Sequence, residues 1–331
     1  MRSRITRRAA LLGAGGVLAA PAVLWAQGQV RLTLGHGAAP GNPRSVAAER
    51  MASMLRERTN GRIEMRVAGS AQLGDDAAML TGLHTGTLDM SANSQGAASA
   101  VLPELASFGL PFLFADAPAA YRLVDGPLGQ ELAKRFEAIG LNVLGWWDNG
   151  IRHTTNSRHP INRPEDLRGL KIRTPPDPST IDIFQALGAA TQQLNFGELY
   201  VALQQGVVDG QENPLSNIHS SKLYEVNRFI SLTAHQWGCN PLFASRMAWG
   251  RLRPDDRRIV QDVAKEVEAF QRNLLQETDT RLLGEFRANS QLAVNEVDLA
   301  PFRAATASVY ERWEARPFGG FVKRVRAATT G

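Results

Sequence analysis

The sequence predicts an α/β protein built as two lobes, and three observations carry that expectation. Apolar residues recur along the chain at period two and then at period three to four, the rhythm of strands feeding helices in an open sheet. Residues 254 to about 289 hold the helical period with no Gly or Pro between Pro254 and Gly284. Such a helix runs roughly 45–55 Å at 1.5 Å per residue, longer than one domain is wide. The 331 residues, 44% hydrophobic and 21% charged, are enough for two full cores. A dimeric coiled coil is the alternative for the long helix, but its stripe (Ile259, Val263, Val267, Phe270, Leu274) does not keep strict heptads.

Each element follows in order. Val30, Leu32 and Leu34 alternate with Arg31 and Thr33 as a strand, and residues 45–58 place Ala47, Met51, Met54 and Leu55 on one helical face, stopped by Asn60-Gly61. Ile63, Met65 and Val67 alternate again. Gly74-Asp75 opens a helix carrying Met79, Leu80 and Leu83, and Leu88-Asp89-Met90 reads as a third strand. Later, Val143-Leu144-Gly145-Trp146 is strand-like, residues 163–167 form a helical turn, and Leu170-Lys171-Ile172-Arg173 is a strand ended by Thr174-Pro175. Asn195 is placed to cap a helix over 197–205, followed by Val207-Val208.

The N-terminus reads as an address. Residues 1–26 contain Arg2, Arg4, Arg7 and Arg8 and no acid, then an uncharged apolar run and Ala26 before Gln27, the pattern of a signal peptide cut after Ala26. Thr6-Arg7-Arg8-Ala9-Ala10-Leu11 resembles a twin-arginine export signal, with the general secretory route as alternative. The formal charge of +5 is concentrated there: without those four arginines, 33 basic side chains face 32 acidic ones, so no nucleic-acid partner is expected.

Enzyme chemistry finds little support. Gly13-Ala14-Gly15-Gly16 follows no strand and has Leu18 where a dinucleotide-binding loop needs its third glycine. The lone Cys239 excludes an intramolecular disulfide, and the six histidines are scattered without metal-ligand spacing, so neither metal nor cofactor is expected. No nucleophile elbow or phosphate loop is present. Asp148, Asp209 and Glu212 are imaginable as an acid/base pair, but nothing shows that they converge. Helix caps and salt-bridge partners are the blander reading.

What remains is a set of donors. Arg152 follows Asn149-Gly150, Arg173 ends an apolar strand, and Asn213 follows Val207-Val208-Asp209-Gly210. Ligands of open α/β sheets sit beyond the carboxyl ends of strands, and an arginine there offers a planar fork to a carboxylate. A structural ion pair of Arg173 with Asp177 or Glu165 is the competing reading.

At these residues the chain resembles a known family. Gln72-Leu73-Gly74-Asp75, Gly86-Thr87-Leu88-Asp89, Leu110-Pro111-Phe112-Leu113-Phe114, Gly169-Leu170-Lys171-Ile172-Arg173 and a long run from Glu198-Leu199-Tyr200 through Val208-Asp209-Gly210-Gln211-Glu212-Asn213-Pro214 stand in its order. They are similar to the DctP-type solute-binding proteins of tripartite ATP-independent periplasmic (TRAP) transporters, over about residues 30 to 315. The resemblance implies a periplasmic-binding-protein-like (type II) fold of two α/β domains with a hinge and a long domain-spanning helix. We expect 27–150 plus about 239–278 in the first domain, and 151–238 plus about 279–331 in the second. It implies a periplasmic, monomeric carrier that is not an enzyme, takes a small organic acid and passes it to the membrane permease subunits. A ligand-sensing adaptor binding the same class of acid is the alternative. By the same resemblance Arg173 grips the ligand carboxylate, Arg152 is a second contact, Asn213 completes the carboxylate site and Phe196 packs on the ligand. His36, Ser94, Trp147, Trp237 and Asn240 are expected to line the pocket. Gly37 and Ser94 depart from the sialic-acid-binding branch, so another acid is expected: a C4-dicarboxylate, a sugar acid or a related carboxylate.

Overall fold

The computed structural model describes residues 29–329, so the expected export signal at 1–26 lies outside the described residues. Strand and helix alternate from the start: β1 (Val30–Gly35), α1 (Pro43–Arg58), β2 (Ile63–Ala68), α2 (Asp76–Thr85), β3 (Met90–Ala92), α3 (Gln95–Val101), α4 (Ala117–Asp125) and α5 (Pro127–Ala138). A long strand β4 (Leu141–Asn156) leads to β5 (Lys171–Thr174), α6 (Pro178–Ala186), β6 (Ala190–Gln193), α7 (Leu199–Gln204), β7 (Gly210–Asn213) and α8 (Leu215–Ser220). A second long strand, β8 (Phe229–Ser245), precedes α9 (Arg246–Arg251), α10 (Pro254–Ala288), β9 (Ala293–Glu296), α11 (Leu299–Ala305), α12 (Ala307–Glu314) and α13 (Gly319–Ala327).

Local chemistry sets the helix starts. Asn42 accepts the Arg44 N–H with Pro43 at the first helical position, and Asp75 accepts the Ala78 N–H at the head of α2. Ser94 caps α3 and Asp177 caps α6 in the same way.

The strands form one sheet in the order β2-β1-β3-β8-β4-β7-β5-β6, with β9 beside β8. β1, β2 and β3 are parallel to one another, as are β5, β6 and β7. Between these groups β4 and β8 run antiparallel, pairing from Leu141↔Ser245 to Asn156↔Phe229. Two strands of 16 and 17 residues therefore carry the sheet from one lobe into the other. Their pairing shifts register between Asp148 and Gly150, where Gly150 has φ +106°. A Cβ there would sit 3.0 Å from Pro214 Cβ and 3.3 Å from an Asp279 carboxylate oxygen. With the left-handed cost of about 1–2 kcal/mol added to that crowding, Gly150→Ala should lower the urea midpoint at unchanged slope. A wild-type midpoint would contradict this reading.

α10 does what the helical period predicted. Val260, Val263 and Val267 pack with Met51, Leu55 and Trp147, while Leu282 and Phe286, farther along, pack with Leu199, Ile218 and Ile230. The last two helices depart from expectation. We assigned 279–331 to the second domain, yet Val309, Trp313, Phe321 and Val322 pack with Phe108, Phe136 and Phe243. The apolar faces of α12 and α13 thus close the core of the first lobe. After α7, Val207 is exposed, Val208 is buried and the strand begins at Gly210.

Candidate functional site

The carboxyl ends of β1, β2, β5 and β7 converge on one cavity of about 500 Å³, within the range of small-molecule sites. Gly37, Arg44, Ser70, Asp76 and Ser94 face it from the first lobe, and Arg152, Arg173, Phe196, Asn213 and Asn217 from the second. Five of the expected residues, Arg173, Arg152, Asn213, Phe196 and Ser94, are thereby brought together.

Arg173 is a buried cation without an anion. Only 2% of it is exposed, and its Nε and Nη2 donate to the Leu194 carbonyl at 2.9 and 2.7 Å. Among the described residues no carboxylate lies within salt-bridge distance of it. Asp177, one of the imagined partners, instead accepts the Ser179 N–H and hydroxyl at the head of α6. Burial holds the Arg173 pKa down to about 10, with Glu212 opposing the shift. The Phe196 ring lies 5.9 Å from its guanidinium carbon. An incoming carboxylate would relieve the desolvation that this cation carries.

Arg152 is different. Its Nε and Nη2 grip the Glu212 carboxylate at 2.5 and 2.7 Å, and Nη2 also reaches the Glu212 carbonyl at 3.0 Å. Although burial works against its charge, Glu212 outweighs this and raises the Arg152 pKa. Burial likewise opposes the Glu212 charge, yet Arg152 draws the carboxylate pKa down to about 2. His235 Nε2 lies 3.1 Å from the same carboxylate. The pair holds its neighbour Asn213 in place: Asn213 Oδ1 accepts from Asn217 at 3.1 Å and its amide donates to Gln211 at 2.5 Å, leaving its second N–H for a ligand. The imagined acid/base carboxylates are spent on such contacts. Asp209 pairs with Arg158, and Asp148 accepts from Tyr121 and Trp237.

Four expected lining residues lie elsewhere. Trp147 is fully buried in the core between α1 and α10, because that face of β4 is covered by both helices. Trp237 packs edge-on against Phe114 and donates to Asp148 at 2.7 Å, so it belongs to the opposite core face. Asn240 is buried and donates to the Asn93 carbonyl at 3.1 Å. His36 is buried beside Gly69; its Nδ1 accepts the Ala38 N–H, and burial then Arg44 lower its pKa to about 3.

Sequence reasoning missed Arg44, Asp76 and Asn217. Arg44 is 6% exposed and makes one long contact, Nη1 to the Ala92 carbonyl at 3.4 Å, while its Nε has no partner among the described residues. Burial lowers its pKa, with Asp76 opposing and Arg152 adding to the fall. Asn217 joins the lobes: it accepts from Asn42 Nδ2 at 2.9 Å across the cleft, and Asn42 also donates to Ser220 at 3.2 Å. The cue for Arg44 was the Asn42-Pro43 helix start just past the carboxyl end of β1.

Among the described residues no helix is long and apolar enough to cross a membrane, and no group of His, Cys, Asp and Glu is placed to hold a metal ion.

The chain is 56% identical over 315 residues to the uncharacterized protein y4mM of Sinorhizobium fredii, covering 94% of this chain and 58% of that one. It therefore spans less than two thirds of that relative's length. Its structure is similar to the sugar acid binding protein DctPAm of Advenella mimigardefordensis in complex with galactonate, with TM-score 0.89 and 30% identity over 92% of this chain and 98% of that one. A TRAP periplasmic solute-binding protein of Sulfurospirillum deleyianum with bound succinate gives TM-score 0.87 and 30% identity over 91% and 99%. Residues 34–316 match the DctP family profile, a stretch that runs from β1 past the end of α12. The chain belongs to that family, the bacterial extracellular solute-binding proteins of family 7.

Proposed function

We propose that this protein captures a small organic acid in the periplasm and delivers it, unaltered, to the membrane subunits of a TRAP permease. The observation that carries the reading is Arg173, a buried guanidinium facing the cavity with no carboxylate in salt-bridge distance among the described residues. A cation in that setting is stabilised most by an anion brought from outside. Galactonate and succinate, the acids bound by the two similar structures, both carry such a group.

In this account the acid enters an open cleft, and Arg173 and the free Asn213 N–H hold its carboxylate. Bending in β4 and β8 brings the lobes together, and the Asn42–Asn217 contact spans the closed cleft. Because Asn217 also donates to Asn213, the carboxylate site and the closing contact share one hydrogen-bonded run. Closure excludes water and strengthens every polar contact inside. The acid drives it by binding the closed form more tightly than the open one.

A thermal-shift panel of small acids tests this, after unfolding and refolding strips any co-purified molecule. A cognate acid at 100 times its dissociation constant should add about 2.7 kcal/mol of stability and emerge chemically unchanged. A panel in which no acid raises the midpoint would contradict the reading.

A further inference from the structure

The first-lobe side of the cavity holds a second polar arrangement. Arg44, at the head of α1, and Asp76, at the head of α2, both line it from the first lobe. Arg44 is more than nine-tenths buried, its Nε is unpartnered, and among the described residues no carboxylate lies within salt-bridge distance. Asp76 Oδ1 is likewise buried without a hydrogen-bond partner, whereas the neighbouring Asp75 carboxylate is occupied by the Ala78 N–H at 2.8 Å. The two side chains are near enough for Asp76 to favour the charged form of Arg44.

The first-lobe side therefore offers an unmet donor beside an unmet anionic acceptor. A hydroxyl group suits both, since it accepts from the guanidinium and donates to the carboxylate. A second carboxylate suits only Arg44, and it would leave Asp76 unsatisfied and facing a like charge. With Arg152 matched by Glu212, Arg173 and Arg44 are the lining arginines with no carboxylate in salt-bridge distance among the described residues, and Asp76 stands nearest the second of them.

We infer that Arg44 and Asp76 form a hydroxyl-reading end of the site, which selects hydroxylated monocarboxylates over unhydroxylated dicarboxylates. This rests on the acid-capture reading and narrows it to a substrate class. Asp76 does not exclude dicarboxylates by size; it excludes them by charge and because an ionised carboxylate has no proton to donate to it.

Isothermal titration of wild type, Asp76→Asn and Arg44→Gln tests this with aldonates of four to six carbons, erythronate and galactonate among them, against succinate and glutarate. Wild type should prefer its best aldonate over either dicarboxylate by about tenfold or more, the scale of one charge-assisted hydrogen bond. Asp76→Asn, nearly isosteric, should shrink that preference about tenfold, and Arg44→Gln should weaken aldonate binding by a similar factor. If Arg44→Gln unfolds, the Asp76→Asn ratio carries the test alone. Dicarboxylates bound by wild type as tightly as the best aldonate, or a preference unmoved in Asp76→Asn, would overturn the hydroxyl-reading assignment while leaving acid capture standing. Failure of wild type to bind any acid of either class would overturn acid capture and this assignment with it.

Discussion

Arg173→Gln should abolish organic-acid binding while the protein stays folded. The wild-type cation sits 2% exposed with two nitrogens on one backbone carbonyl and no carboxylate beside it. A bound carboxylate would then face a neutral amide in a water-excluded cleft. Breaking a buried charge pair by removing one partner costs about 3–5 kcal/mol, or roughly two to four orders of magnitude in affinity. Glutamine keeps a donor for the Leu194 carbonyl, so the thermal midpoint without ligand should stay near wild type or rise as an unpaired buried charge disappears. Titration calorimetry with an acid that binds wild type reads the first effect, and calorimetric unfolding reads the second. Undiminished affinity in the variant would remove Arg173 from the account.

Glu212→Gln should act on the fold instead. Glu212 is fully buried and accepts from Nε and Nη2 of Arg152, so its neutral replacement strands a buried guanidinium, again at about 3–5 kcal/mol. The pH dependence has a definite sign. Because the carboxylate titrates near 2 when folded against an ordinary 4.5, its stabilisation is complete above about pH 4.5 and drains away as the pH falls towards 2. Part of that stabilisation should be lost between pH 5 and pH 3. Wild type should therefore approach the variant in stability on acidification. Urea titrations at the two pH values check this, and a gap between the two proteins that stays constant would show that the pair does not hold the second lobe together.

These two arginines look alike in the sequence, and the reason is instructive. Each follows a strand-like stretch, so each was legible as a cleft cation. What separates them is Glu212, which reaches Arg152 only through the antiparallel pairing of β4 with β7, where Thr154 lies opposite Glu212. Contacts of that kind depend on register, which no local pattern reveals. The long helix was readable because its period survives 35 residues without interruption. β8 was not, because it is buried along most of its length and carries no alternation to betray it. Trp147 and Trp237 drew attention as aromatic candidates, yet the faces of β4 and β8 that carry them are covered by core packing. Ser94 reached the cavity for a reason the sequence does hold, since the cap of a helix that starts at a strand's carboxyl end faces the cleft. Arg44 resembled any solvated helix arginine apart from its place at the Asn42-Pro43 helix start, and the placement of α1 over the cavity turns it inward.

The most direct measurement is a crystal structure of the protein with the acid that raises its melting midpoint most. The account predicts the ligand carboxylate within about 3 Å of the Arg173 guanidinium, beside the Asn213 amide, with the lobes closed over it. A carboxylate bound away from Arg173, with that side chain serving only the Leu194 carbonyl, would contradict it.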